Sequence, residues 1–202
     1  AGDSELRSSR LPWLFWILVR IWLGLFKPKP KTILGMEFAG VVESVGGGVQ
    51  RFRPGDGVFG ASGMGFGSYA EYVCVRADGI VAHKPPGLSF EHAAAVPVGG
   101  LAALGYLRRG GVGRGKDVLI RGASGSIGTF AVQLARHFGA RVTGVCGPQS
   151  LDRVRRLGAD VVVDYTEEDF TGNGETYDLI VDVVGKMPVS RCLRSLKPDG
   201  AY

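Results

Sequence analysis

The chain has 202 residues, 24 Lys/Arg against 19 Asp/Glu, 45% hydrophobic and 21% charged, a composition that excludes a disordered polymer. Its 33 glycines follow no collagen period and no low-complexity tract, so they are expected at turns and close backbone approaches. Residues 1–156 hold 20 Lys/Arg against 10 Asp/Glu, but the bases lie in short groups such as Arg108-Arg109, lack interleaved aromatics and match no nucleic-acid module.

Leu11 to Phe26 is the most apolar stretch, with all three tryptophans and a single charge, Arg20. Ser9 and Pro12 mark a helix start and Lys27-Pro-Lys-Pro30 a stop. It is shorter than the roughly 20 residues that span a bilayer. It reads either as a helix packed over a hydrophobic surface or pocket, or as a membrane-surface contact. From Gly35 to His83 short β-like runs are broken by glycine. They are Phe38 to Val45, Gly57 to Gly60, Tyr69 to Val75 and Gly79 to Ala82, with Arg53-Pro-Gly-Asp56 as a turn. Strands at this spacing predict a small barrel.

Lys84-Pro-Pro-Gly87 is a joint, and helices are expected over Glu91 to Val96 and Leu101 to Leu107. Beyond Lys116 strands and helices alternate. Strands are predicted at Asp117 to Ile120, Arg141 to Val145, Val161 to Tyr165 and Tyr177 to Val184. Helices are predicted at Ser126 to Phe138, Leu151 to Leu157 and Val189 to Leu196. In the first of these helices Ile127, Phe130, Ala131, Leu134 and Phe138 share one face. Such alternation implies a parallel sheet with right-handed crossovers. The cysteines, Cys74, Cys146 and Cys192, form no CxxC pair, and a reduced, cytoplasmic compartment is expected.

Gly122-Ala-Ser-Gly125-Ser-Ile-Gly128 follows a predicted strand and opens a predicted helix, the context of a dinucleotide-binding loop. Glycines let the backbone approach a pyrophosphate, and the amides at the helix start stabilise its charge. NAD sites place an acid at the end of the second strand. Here that strand runs into Val145-Cys146-Gly147-Pro148-Gln149-Ser150, with no acid. The absence admits a 2′-phosphate, and Arg153 and Arg155 lie nearby, so NADP(H) is the expected cofactor.

Gly35-Met-Glu-Phe-Ala-Gly40, Arg53-Pro-Gly-Asp-Gly-Val-Phe-Gly60, Gly67-Ser-Tyr-Ala-Glu-Tyr72, Ala93-Ala-Ala-Val-Pro97, the glycine loop and Leu196-Lys-Pro-Asp-Gly200 occur in this order. Together they resemble the medium-chain dehydrogenases/reductases, in the zinc-independent quinone oxidoreductase (zeta-crystallin-like) branch. The resemblance implies an α/β chain: a partial GroES-like β-barrel substrate domain over residues 1–97, then a partial Rossmann doubly wound parallel sheet over 98–202. It implies an active site in the cleft between them, NADPH as hydride donor, a quinone or α,β-unsaturated carbonyl as acceptor, and a homodimer when full length. An NADPH-binding interaction or membrane-surface protein with weak or no catalysis is the alternative.

By the same resemblance Gly125, Ser126, Ile127 and Gly128 meet the pyrophosphate, and Cys146, Gly147 and Ser150 surround the 2′-phosphate. Ser150 stands where some relatives have lysine, so the charge there is weaker or comes from Arg153. Tyr165 matches a residue at the adenosine end and Val184 one beside the cofactor, with core packing the alternative for both. Ala102 replaces a threonine that many relatives place near the nicotinamide. Met36 stands where zinc-dependent relatives have histidine, and Cys74 is alone where a structural zinc lobe would need four cysteines, so no metal is expected. No catalytic residue is assigned; Asp3, Tyr69 and His83 are candidates in principle only. The resemblance also implies a fragment lacking the first domain's opening strands and the sheet's last strands, poorly soluble and inactive alone.

Overall fold

A computed structural model describes residues 33–202; Asp3 and the segment Leu11 to Phe26 lie outside the described residues. The chain divides into two units, one ending at Pro97 and the other formed by Val98–Tyr202.

In the first unit β1 (Glu37–Val41), β2 (Gly57–Ala61) and β3 (Ile80–His83) pair antiparallel in the order β1-β2-β3. Among the described residues these strands form one three-stranded sheet. Phe52, Val58 and Val81 are buried between them, flanked by Phe38 and Val49. The Asp56 carboxylate accepts the Arg53 amide at 2.8 Å, closing the Arg-Pro-Gly-Asp turn before β2. A short helix, α1 (Phe90–Ala94), starts at Ser89, whose Oγ accepts the His92 amide at 3.2 Å, as an N-cap should.

Two expectations need correction here. β1 ends at Val41 rather than Val45: Val42 bonds the turn before β2, its amide donating to the Asp56 carbonyl at 2.9 Å and its carbonyl accepting the Gly55 amide at 2.8 Å, and residues 43–48 form no strand. Tyr69 to Val75 is not a strand. The amides of Gly67, Ser68 and Tyr69 donate to the carbonyls of Ile33, Gly35 and Leu34, but among the described residues no ladder continues past Tyr69. Alternating apolar residues make a strand only where a neighbouring strand takes their amides.

The second unit is a five-stranded parallel sheet of order β6-β5-β4-β7-β8, formed by β4 (Asp117–Arg121), β5 (Arg141–Cys146), β6 (Val161–Asp164), β7 (Tyr177–Asp182) and β8 (Leu196–Ala201). Its helices are α2 (Pro97–Arg109), α3 (Ser126–His137), α4 (Leu151–Arg156) and α5 (Val189–Cys192). Strand residues alternate between two cores. Val118, Ile120, Val142 and Val181 pack with Ala103 and Leu107 of α2, Ala131, Val132 and Ala135 of α3, and Val154 of α4. Leu119, Val145, Val163 and Ile180 pack on the other face with Phe170 and Cys192. Consecutive apolar residues such as Val118–Ile120 and Leu179–Val181 in the central strands are what a sheet covered on both faces requires.

Helices α3 and α4 end alike. Gly139 (φ +81°) and Gly158 (φ +109°) follow their C-caps. The next amides, those of Ala140 and Ala159, reach back to the carbonyls of Ala135 and Val154 at 3.1 and 3.3 Å. These are Schellman closures, which favour glycine because the backbone is left-handed there. They turn the chain sharply into β5 and β6.

The C-terminal part also departs from expectation. The helix at Val189 is a single turn followed by a 3₁₀ turn at Leu193–Ser195, and Leu196 already opens β8. The strand therefore runs through Pro198-Asp199-Gly200, where no strand is predicted. Its ladder with β7 is irregular, pairing Leu196 with Tyr177 and Ala201 with Leu179. Pro198 has no amide to donate, so an edge strand with a bulge is where it can be accommodated.

Candidate functional site

The strand order reverses at β4. The chain winds from β4 to β5 to β6 on one side, then returns to place β7 on the other. Ligands of open parallel sheets bind beyond the carboxyl ends of strands at such a switch point. Parallel register aligns those ends: Arg121 with Val145 and with Asp182, and Cys146 with Asp164. All nine residues expected to bind a cofactor fall beyond or within these strand ends and the elements they open into.

The glycine loop is tightly built. The amides of Gly122 and Ala123 both donate to the Val145 carbonyl at 3.0 Å, and the Gly125 amide donates to the Gly122 carbonyl at 3.0 Å. Gly128 is buried, and a Cβ there would lie 2.1 Å from the Gly122 oxygen. Gly122 (φ +82°) leaves no room for a side chain either, since its Cβ would meet Val184 Cγ2 at 2.7 Å. Gly125 caps α3 with no side-chain hydrogen bond. The first intrahelical bond is that from the Thr129 amide to the Gly125 carbonyl, so the amides of Ser126, Ile127 and Gly128 precede it. Gly125 and Ser126 are exposed and Ile127 is half-buried. Such an end offers donors and a positive dipole to an anion. The cradle fits a dinucleotide pyrophosphate.

At the end of β5 Cys146 is buried, and burial pushes its thiol up, with Asp164 adding to the effect and Arg153 opposing it. It contributes backbone, its carbonyl accepting the Tyr165 amide at 3.2 Å. Gly147 opens the 3₁₀ turn Pro148–Ser150, and Tyr165, 66% exposed, stands with its ring edge 3.4 Å from where a Gly147 Cβ would lie. Arg153 Nη2 donates to the Ser124 carbonyl at 2.9 Å and to Ser150 Oγ at 3.3 Å. Its cation therefore lies over the glycine loop beside Ser150. Arg155 instead pairs with Asp152 at 3.0 Å. Val184 is 42% exposed and packs on Gly122.

One pair had no counterpart in the sequence reading. Arg121 Nη1 contacts Asp182 Oδ1 and Oδ2 at 3.1 and 3.0 Å, and the Asp182 side chain is 1% exposed. Burial by itself would raise this carboxyl. Hydrogen bonds from the Val184 and Gly185 amides and the charge of Arg121 outweigh burial and hold it below the usual carboxylate range. The signal in the sequence was a charged residue closing each of two apolar runs, Val118 to Ile120 and Leu179 to Val181.

His83 is engaged in its own unit: Nε2 lies 3.2 Å from the Arg51 carbonyl, Nδ1 3.9 Å from Asp56, and its ring 4.9 Å from that of Phe52. Tyr69 is exposed and its amide is held by Leu34. Neither is thereby assigned a catalytic role. Met36 is half-buried, its carbonyl accepting the Ser62 amide at 2.8 Å. Among the described residues no group of three or more His, Cys, Asp or Glu is arranged to hold a metal ion. Among them, too, no helix is long and apolar enough to cross a membrane.

Residues 16–86 match the family model for the alcohol dehydrogenase GroES-like domain, and residues 126–202 the model named zinc-binding dehydrogenase. A 2-methylene-furan-3-one reductase of Solanum lycopersicum is 38% identical over 177 residues, covering 81% of this chain and 45% of the relative. A chloroplast envelope quinone oxidoreductase homolog of Arabidopsis thaliana is 34% identical, covering 97% of this chain and 63% of that one. The Escherichia coli quinone oxidoreductase, solved in complex with NADPH, superposes with a TM-score of 0.75 at 32% identity, covering 92% of this chain and 59% of that one. The chain thus spans about half to two thirds of the length of the proteins it matches.

Proposed function

The chain belongs to the medium-chain dehydrogenase/reductase superfamily, in its quinone oxidoreductase-like branch, and we propose that the full-length protein is an NADPH-dependent oxidoreductase that reduces a quinone or an α,β-unsaturated carbonyl without zinc. The observation that carries this reading is the glycine cradle beneath the uncapped start of α3, at the sheet's switch point. The relatives' names, a quinone oxidoreductase homolog and a 2-methylene-furan-3-one reductase, support the acceptor class, since a 2-methylene-furan-3-one is a ketone conjugated to a carbon–carbon double bond.

Gly125, Ser126, Ile127 and Gly128 would hold the pyrophosphate through backbone amides. Cys146, Gly147 and Ser150 would surround the 2′-phosphate, with Arg153 supplying the positive charge that Ser150 lacks. Tyr165 would lie against the adenosine and Val184 along the nicotinamide half. The bound nicotinamide supplies a hydride at C4. The chain's part is to hold the donor rigidly and exclude water, so that rate comes from placement. Met36 offers a thioether where catalytic zinc takes nitrogen, oxygen or thiolate ligands, and no step is assigned to a metal. A homodimer of the full-length protein belongs to the same reading.

The test is steady-state kinetics of the full-length protein on a small quinone and a small enone. NADPH is expected to exceed NADH in kcat/KM by about tenfold or more, with no loss on adding a chelator. Equal efficiency with the two cofactors, or activity abolished by the chelator, overturns it.

A further inference from the structure

We infer that Asp182 is a positioning residue for the pyrophosphate–nicotinamide half of the cofactor site, with Arg121 as its counter-charge. This rests on the cofactor reading above. The switch point is flanked by two loops, Gly122–Gly125 after β4 and Val183–Gly185 after β7. Asp182 ties them together. Its Oδ1 accepts the amides of Val184 and Gly185 at 2.8 and 3.1 Å, which folds the second loop back toward the sheet. The methyls of Val184 and Val183 then occupy the space a Gly122 side chain would need, 2.7 and 2.9 Å from that Cβ position. Arg121, the residue before Gly122, holds the same carboxylate from the neighbouring strand, and the Tyr202 hydroxyl reaches Oδ2 at 3.4 Å.

Burying a charged pair in a sheet is seldom the cheapest route to stability, and an apolar pair of similar volume often serves as well. What an apolar pair cannot do is bond two loop amides. The pair thus sets where Val184 stands and how the glycine loop is backed. Among the described residues no hydrogen bond or ion pair joins it to Ser150 or Arg153.

The experiment compares two ligands on the full-length protein by calorimetry: NADPH, and adenosine 2′-monophosphate, which has neither pyrophosphate nor nicotinamide. Asp182→Asn is expected to weaken NADPH about tenfold and to leave adenosine 2′-monophosphate within about twofold. Should that variant not fold, Arg121→Met must show the same split, and Arg121→Lys, which keeps a cation beside the carboxylate, must restore NADPH affinity. Equal weakening of both ligands makes the pair a general support of the fold and overturns the inference. Wild-type protein that binds neither ligand overturns the cofactor reading, and this one with it.

Discussion

A Cβ added to Gly128 would lie 2.1 Å from the carbonyl oxygen of Gly122, so the first turn of α3 touches the start of its own loop. Both partners are backbone, and neither can rotate away. Gly128→Ala must push helix and loop apart, costing about 2–3 kcal/mol and abolishing NADPH binding. Gly125→Ala is the contrasting variant. Its φ is −79° and its Cβ would meet only the Gly122 oxygen at 3.4 Å, so it should fold with an unchanged Tm. Its methyl would instead stand in the close approach to the pyrophosphate and weaken NADPH about tenfold. Thermal melts and NADPH titration of the two variants separate these outcomes; a folded, NADPH-binding G128A would refute the argument.

Cofactor choice should depend on one arginine of the α4 group rather than on their sum. Arg153 points back over Ser124 and Ser150, whereas Arg155 is engaged with Asp152. Arg153→Ala is expected to lower NADPH affinity about tenfold while leaving NADH nearly unchanged, since a charge-assisted contact to phosphate is worth roughly 1.5–3 kcal/mol. Arg155→Ala should change neither by more than about twofold. An NADPH-to-NADH ratio that falls equally in both variants would place the 2′-phosphate elsewhere.

The glycine loop, the strand–helix alternation and the resemblance were legible because their signals are local: spacing, periodicity and turn residues within a dozen positions. The Arg121–Asp182 pair was not, since its members are 61 residues apart and meet only through the register of β4 with β7. Pro198 hid β8 for the opposite reason. A local rule says proline interrupts strands, but on an edge strand beside a bulge it costs little. Tyr69 to Val75 has the composition of a strand without a described neighbour along its length. The direction in which Arg153 points could not be read from spacing, because both it and Arg155 lie within one turn of α4.

Thiol accessibility offers a test of the fold that needs no cofactor. Cys74 is exposed while Cys146 and Cys192 are buried, and burial pushes both buried thiols up in pKa. Alkylation needs thiolate and access. A maleimide at neutral pH should modify Cys74 alone in the native protein and all three cysteines in denaturant, as read by intact mass. Rapid native labelling of Cys146 would contradict the packing of β5 under α4.

At the amino end of the sheet, opposite the glycine loop, Asp178 is held by three donors: Lys197 Nζ at 2.8 Å, the Asp117 amide at 2.9 Å and Lys116 Nζ at 3.1 Å. The Lys197 bond, then the amide, hold its carboxyl far below the usual carboxylate range. A group whose folded pKa is depressed contributes stability above its unfolded value, near 3.8, and that contribution fades as pH falls below it toward the folded value. Asp178→Asn should therefore lose about 1–2 kcal/mol at pH 7, allowing for partial exposure of the cluster. The difference from wild type should shrink below about pH 4. Denaturant melts at pH 7, 4 and 3 check this. A deficit that stays constant down to pH 3 would mean that the asparagine loses packing rather than charge, and that the Lys197–Asp178 contact contributes nothing to the acid dependence.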